Sequence, residues 1–387
     1  MKAKIISFLF VFFVSVPLFA YMVHSNSDES VILEKRKITQ FPTFSSTFSR
    51  KELSKYSSSL NKYLSDHFIL RSQSLSQMRI VNGVVRESMH FNKAYAGRND
   101  WFFEGNASAS RLDKIEGRVT INAKETSFYV DQYAYFFEKC NNLSIPFMLF
   151  IPPLKERIYP EYLPPVVFAS DPYYFLPLLD ALRQRGVPIY YPDTLLRELK
   201  PMKTLYYKTD PHWNGHASAV VYKDLAGVLD NSINDKNETI RLADFSEVVS
   251  SKNLTGYSLV SAILPADFLP RGEDPIVSVK LAEPCDIVMT KDGKEEIISS
   301  RTLVFKPNSI IKTTNPAPLS EKTVWLFRDS FMNGMSHLFN TTFSEVIHAP
   351  HDAFDKVFAT EKKKPDLVIF EIYEGHMLRT IAQQGTN

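Results

Sequence analysis

The chain has 387 residues, 44% of them hydrophobic and 23% charged, a balance that suits one large globular domain or two smaller ones and excludes a disordered polar chain. A formal net charge of +2 excludes both the basic excess of a nucleic-acid-binding protein and the acidic excess of a solvating one, so no nucleic-acid partner is expected. Aromatic residues reach 13%, which ordinary cores explain before sugar-binding faces need be invoked.

In chain order, Lys2 and Lys4 precede an apolar stretch over residues 5–22, interrupted by Ser7, Ser15 and Pro17. A positive start followed by such a stretch reads as a signal anchor or signal peptide over 1–24. The bulky Phe19 in Leu18-Phe19-Ala20 makes a poor cleavage signature, which favours an anchor. Membrane association through this segment, with the remainder on the extracytoplasmic or periplasmic side, is the expectation. Residues 25–95 read as a polar linker followed by amphipathic helices. Leu53, Tyr56, Leu60, Tyr63 and Leu64 recur at helical spacing over 51–65, and a second helix is predicted over 72–86.

A larger α/β domain is predicted over 96–387. Gly97-Arg98-Asn99-Asp100 is a turn signal before a short strand at Trp101-Phe102-Phe103. Helices over 123–141, 172–185 and 215–230 alternate with buried strands over 145–151 and 187–191. That alternation predicts a parallel sheet covered by helices. A β-rich insertion is expected at about 236–320, where Asp292-Gly293 marks a hairpin between runs 286–290 and 295–299. The α/β pattern resumes with strands over 323–327 and 366–372 and a helix starting at Ser330.

Two segments carry chemistry. Asp210-Pro211-His212-Trp213 sets an Asp two residues before a His in a loop, where a carboxylate can hold an imidazole and stabilise its protonated form. Arg328-Asp329-Ser330-Phe331 leads from a buried strand into a Ser at a helix start, the edge of an open α/β sheet where ligands bind. Backbone N–H groups there can hold an oxyanion. A Ser after a strand is commonly a plain N-cap, and an Asp-x-His pair is commonly a structural hydrogen bond. The two together favour a Ser330–His212–Asp210 triad.

These residues resemble the alginate O-acetyltransferase family of the AlgX and AlgJ type, with the related DHHW proteins. Other blocks carry the likeness further: Glu34-Lys35-Arg36 with Phe41-Pro42, Tyr63-Leu64-Ser65-Asp66-His67-Phe68, Pro152-Pro153-Leu154-Lys155 with Tyr159-Pro160-Glu161-Tyr162, and Pro365-Asp366-Leu367-Val368-Ile369. The resemblance implies a three-layer, circularly permuted SGNH-like domain in which the Asp-x-His pair precedes the nucleophile. It further implies an exported or anchored protein that acetylates a polysaccharide acceptor, with acetyl groups supplied by a membrane-bound donor partner of the MBOAT type. Ser330 would be the nucleophile, His212 the general base and acid, and Asp210 its orienting carboxylate. Arg328, Trp213, Lys155 and Tyr373 are the candidate substrate-binding residues. Two features depart from the family pattern. Arg328 stands where a Gly is usual, either altering the turn or offering a cation to an acidic substrate. The segment Glu371-Ile372-Tyr373-Glu374-Gly375-His376 lacks the expected Glu-Arg pair.

The same triad would serve a carbohydrate esterase, and a non-catalytic sugar-binding component of an exopolysaccharide machine is a third reading. No metal site is expected: His212 and His216 have helical zinc spacing, but Trp213 follows His212 where a zinc protease has Glu. His348, His351 and Asp352 read as a solvated loop. No glycine-rich phosphate loop is present, and no cofactor is implied. Cys140 and Cys285 leave one disulfide open.

Overall fold

The computed structural model describes residues 94–105, 110–118, 120–164, 167–170, 173–233, 240–254, 259, 274–301 and 309–381, with short stretches at 40–43 and between 54 and 63. The chain divides into two compact units, Met1–Met89 with Val260–Pro270, and His90–Leu259 with Arg271–Asn387. In the first, residues 54, 56–61 and 63 are helical, as the spacing predicts. The expected N-terminal anchor and the helix over 72–86 lie outside the described residues. Among the described residues, no helix is long and apolar enough to cross a membrane.

The second unit holds all the candidate chemistry. It opens with a hairpin of β1 (Ala94–Ala96) and β2 (Phe102–Glu104), then α1 (Arg111–Ile115) and the long α2 (Ala123–Asn142). Asn122 starts α2 with a capping box: its side chain accepts from Glu125 N, and the Glu125 side chain accepts from Asn122 N. There follow β3 (Phe147–Phe150), α3 (Lys155–Ile158), α4 (Leu176–Gln184), β4 (Ile189–Tyr190), α5 (Asp193–Leu199) and α6 (Gly215–Ile233). Gly186, at φ +84°, ends the α4 segment in the left-handed conformation that glycine adopts without a Cβ clash.

Next come β5 (Phe245–Asn253), β6 (Pro275–Leu281), β7 (Asp286–Lys291), β8 (Lys294–Ser299), β9 (Ile311–Thr314) and β10 (Ser320–Phe327). A 3-10 turn at Ser330–Gly334 leads to α7 (Ser336–Thr342), β11 (Phe343–Ala349), α8 (Phe354–Thr360) and β12 (Leu367–Glu371).

Eight strands form one sheet in the order β4-β3-β12-β10-β11-β9-β7-β8. The first five are parallel and the last three are added antiparallel. All residues of β3 and β12 are buried, as is the run Thr323–Phe327 of β10. Strands covered on both faces have no solvent face to alternate with, which is why these runs are continuously apolar. The α/β class expected from sequence is therefore present, with one correction. The sheet is mixed rather than parallel, because β7 to β9 of the predicted insertion extend it, while β5 and β6 pair separately. The Asp292-Gly293 turn closes β7 onto β8 with φ of 50° and 73°, the positive pair that a two-residue hairpin needs.

Two further corrections concern the carboxyl edge. The helix expected from Ser330 is interrupted, a 3-10 turn first and α7 after it. His348, read as part of a solvated loop, is a buried residue of β11, bonded through Nε2 to Asn340 Oδ1 at 2.8 Å. Cys140 and Cys285 are both free thiols.

Candidate active site

Ser330 begins the 3-10 turn that follows β10, a central strand flanked by β11 and β12. The chain leaves β10 towards β11 on one side and returns to β12 on the other, so Ser330 sits where strand order reverses, outside the carboxyl ends of the strands. Asp329 fixes the turn: its Oδ1 accepts from Phe331 N at 2.9 Å and its Oδ2 from Tyr373 N at 3.0 Å. His376 Nδ1 lies 3.2 Å from that Oδ2. Burial alone would raise the Asp329 carboxyl, but the hydrogen bond from His376 and the charges of His351 and His376 hold it well below the usual range. It is an anchored carboxylate beside Ser330.

Asp210 and His212 lie in the loop before α6, as the sequence predicts. The loop is pinched by a β-bridge between Tyr206 and Trp213. Asn214 then starts α6, its Oδ1 accepting from His216 N at 3.0 Å while its Nδ2 donates to Thr204 O at 2.7 Å.

Within the loop, His212 Nδ1 is 2.6 Å from Asp210 Oδ1, which also accepts from His212 N at 3.0 Å. The other ring nitrogen, Nε2, is 2.7 Å from Ser330 Oγ. A carboxylate can only accept, so Nδ1 carries the proton and Nε2 is left to accept from the hydroxyl. The three side chains that sequence singled out thus form one continuous relay. They open on a cavity of about 300 Å³ whose lining includes Tyr207, Trp213, Leu254, Val277 and Asn333. Leu254, just after β5, and Val277, from β6, wall one side.

The four candidate substrate-binding residues fall differently. Lys155 is 1% exposed and its Nζ donates to the carbonyls of Tyr207, Lys208 and Asp210 at 2.8, 2.9 and 3.0 Å. Burial pushes its ammonium down to about 7, against the attraction of Glu156, Asp210 and Asp274. Three carbonyls occupy its three N–H donors, so it holds the His212 loop rather than a substrate. Arg328 is 1% exposed, and Tyr373 is buried with its ring stacked on Phe331 at 4.0 Å. Neither lines the cavity. Trp213 does line it, and its Nε1 donates to Phe331 O at 2.8 Å, tying the histidine loop to the nucleophile turn.

One residue that sequence reasoning missed is Asp274. It is 5% exposed and accepts from Lys208 N, Thr209 N and Thr209 Oγ1 at 3.0, 2.9 and 2.6 Å. The loop is therefore gripped from both sides: a lysine takes its carbonyls and an aspartate takes its N–H groups. An isolated Asp in an insertion gives no periodic signal, so only the fold could show it.

Among the described residues, no group of three or more His, Cys, Asp or Glu side chains is placed to hold a metal ion. His216 instead pairs with Glu247.

An α/β domain with a Ser–His–Asp relay at the carboxyl edge of its central strand has the arrangement of a serine-nucleophile acyl-transfer site. Residues 94–256 match the family described as ALGX, SGNH hydrolase-like domain, acetyltransferase AlgX, so the chain carries an SGNH-like domain of the acetyltransferase type, as the sequence resemblance implied. That match includes Asp210 and His212 and ends before Ser330. In sequence, no curated protein matches the chain. A structure of Bacillus cereus PatB1 is similar at 13% identity and a TM-score of 0.53, covering 76% of this chain and 98% of that one. A second PatB1 structure, with a sulfonyl adduct, gives 14% identity, a TM-score of 0.50 and coverages of 74% and 97%. The O-acetyltransferase domain of Pseudomonas putida AlgJ gives 13%, 0.47, 75% and 94%. At these identities the likeness to the two PatB1 structures shows the fold alone.

Proposed function

We propose that the protein is an O-acetyltransferase that acts on an extracytoplasmic polysaccharide through an acyl-enzyme on Ser330. The observation that carries this reading is the relay itself, with 2.7 Å from Ser330 Oγ to His212 Nε2 and 2.6 Å from His212 Nδ1 to Asp210 Oδ1. His212 takes the Ser330 proton as Oγ attacks an acyl carbonyl. Asp210 stabilises the imidazolium, which then protonates the donor's leaving group. A sugar hydroxyl that gives its proton to His212 attacks the acyl-serine in turn and regenerates the hydroxyl. The acetyltransferase-type family match supports acetyl as the group moved. The N-terminal sequence supports an extracytoplasmic location and a membrane-bound donor partner.

Hydrolysis is the second reading, favoured by one observation: the His212 side chain is 33% exposed, so water reaches the base. The test is to incubate the protein with p-nitrophenyl acetate and a panel of oligosaccharides and to follow sugar masses. Acetylated sugar formed faster than free acetate supports the transferase. Free acetate alone, whatever sugar is offered, makes the protein an esterase.

A further inference from the structure

The walls of the cavity at Ser330 carry an uneven set of charges. Among the described residues that line it, none is a lysine or an arginine, and the one fixed charge is the Asp210 carboxylate. The two cations that sequence offered to a substrate are spent elsewhere. Lys155 Nζ is bonded to three backbone carbonyls, and Asp274, gripping the same loop, carries the opposite charge. Arg328 is 1% exposed; its Nη1 donates to Asn333 Oδ1 at 2.8 Å and to Asp329 O at 3.1 Å, and its charge interacts with the Glu371 and Asp329 carboxyls.

A third source of positive potential is the amino end of α6, which reaches the cavity through Gly215 and Ser218. Its N–H groups are taken within the chain. Asn214 Oδ1 accepts from His216 N at 3.0 Å and from Ala217 N at 3.4 Å, and Asn214 O accepts from Ser218 N at 3.1 Å. Much of the remaining wall is carbon: Tyr207, Trp213, Leu254, Val277 and Phe331. The polar atoms of the first two are bonded to protein, Tyr207 Oη donating to Val277 O at 3.3 Å and Trp213 Nε1 to Phe331 O at 2.8 Å. Ring faces and aliphatic side chains suit the C–H face of an uncharged sugar, whereas a carboxylate would meet Asp210 with no cation to offset it. Resting on the proposed transferase reading, we infer that the acceptor is a neutral sugar unit and that the site rejects uronates by charge.

The transfer step is the same for either acceptor. The sugar oxygen bonds to the acyl carbon, its proton passes to His212 Nε2, and Ser330 Oγ leaves and takes that proton back. Charge therefore acts on entry of the acceptor and not on acylation of Ser330.

The experiment acetylates the full chain with p-nitrophenyl acetate and measures how the acetyl group partitions between water and added sugar. The sugars are three forms of methyl glucoside that differ at C6 alone, hydroxymethyl, neutral carboxamide and carboxylate, with the galactoside series in parallel. Both neutral forms should be acetylated at least about tenfold faster than the carboxylate at low salt, and high salt should narrow the gap. Leu254→Lys, which puts a cation on a partly exposed wall residue, should raise acetylation of the carboxylate form. A carboxylate accepted as well as the neutral forms, or a carboxamide as poor as the carboxylate, would overturn the inference and leave the transferase reading standing. A gap that high salt leaves unchanged would do the same. Acetyl passing to water alone, whatever sugar is added, would remove the transferase reading and the inference with it. Turnover surviving in Ser330→Ala would remove the triad. The comparison of sugars and salt uses wild type, so the inference is tested even if Leu254→Lys does not fold.

Discussion

Three carbonyls of one loop converge on the Lys155 ammonium while the Asp274 carboxylate takes that loop's N–H groups, so the aim of Asp210 and His212 is set by two charges of opposite sign. Lys155→Met would leave those carbonyls buried without donors, each such loss worth about 1–3 kcal/mol. We expect the variant to be destabilised by about 2–4 kcal/mol in urea unfolding and to lose at least tenfold in kcat. Had Lys155 been a substrate contact, its loss would raise KM and leave stability alone. The sequence carries the relay legibly because Asp210, His212 and Ser330 each have a distinctive local context. It does not carry the roles of Lys155, Arg328 and Tyr373, because burial is a tertiary fact. A cation beside a catalytic motif looks the same in sequence whether it meets a ligand or a carbonyl.

At the scale of elements, the start of α6 and the β6 strand meet almost without clearance. A Cβ on Gly215 would lie 2.5 Å from Val277 O, a backbone atom that has no side-chain rotamer to relieve the clash. Since Val277 also walls the cavity, Gly215→Ala should push β6 outward, costing about 1–3 kcal/mol in stability and raising KM more than it lowers kcat. Unchanged stability and KM would show that the ribbon does not bear on the site. The elements most legible in sequence are those with a single dominant signal, such as α2 with its capping box or the hairpin at Asp292-Gly293. Strand β11 is illegible for a physical reason. Phe343–Ala349 carries Glu345 and His348 within a mostly buried strand, and His348 Nε2 is bonded to Asn340 of α7. Pairing with a residue 8 positions earlier turns a polar-looking stretch into core.

For the molecule as a whole, Glu374 connects stability to pH. Its carboxylate accepts from Tyr173 Oη, Tyr191 Oη and Leu154 N at 2.6, 2.8 and 3.0 Å, joining the chain before α4, the chain after β4 and the chain after β3. Burial nevertheless raises its pKa from 4.5 to about 7, the three hydrogen bonds and the charge of Arg157 opposing the rise. The folded carboxyl therefore keeps its proton to a higher pH than the unfolded one. Its stabilising contribution is full below pH 4.5 and is lost as pH rises through about 7. That contribution is on the order of 1–3 kcal/mol, since each tenfold gain in proton affinity on folding is worth about 1.4 kcal/mol. Thermal melts should show wild type losing stability relative to Glu374→Gln between pH 5 and 8; a constant difference across that range would contradict the assignment. The central claim is a nucleophilic Ser330 served by His212 and Asp210. Intact-mass spectrometry after exposure to p-nitrophenyl acetate tests it most directly, comparing wild type with folded Ser330→Ala. One acetyl mass on wild type, absent from the variant, is the predicted result. An adduct that persists in Ser330→Ala, or no adduct and no nitrophenol release from the folded wild type, would contradict it.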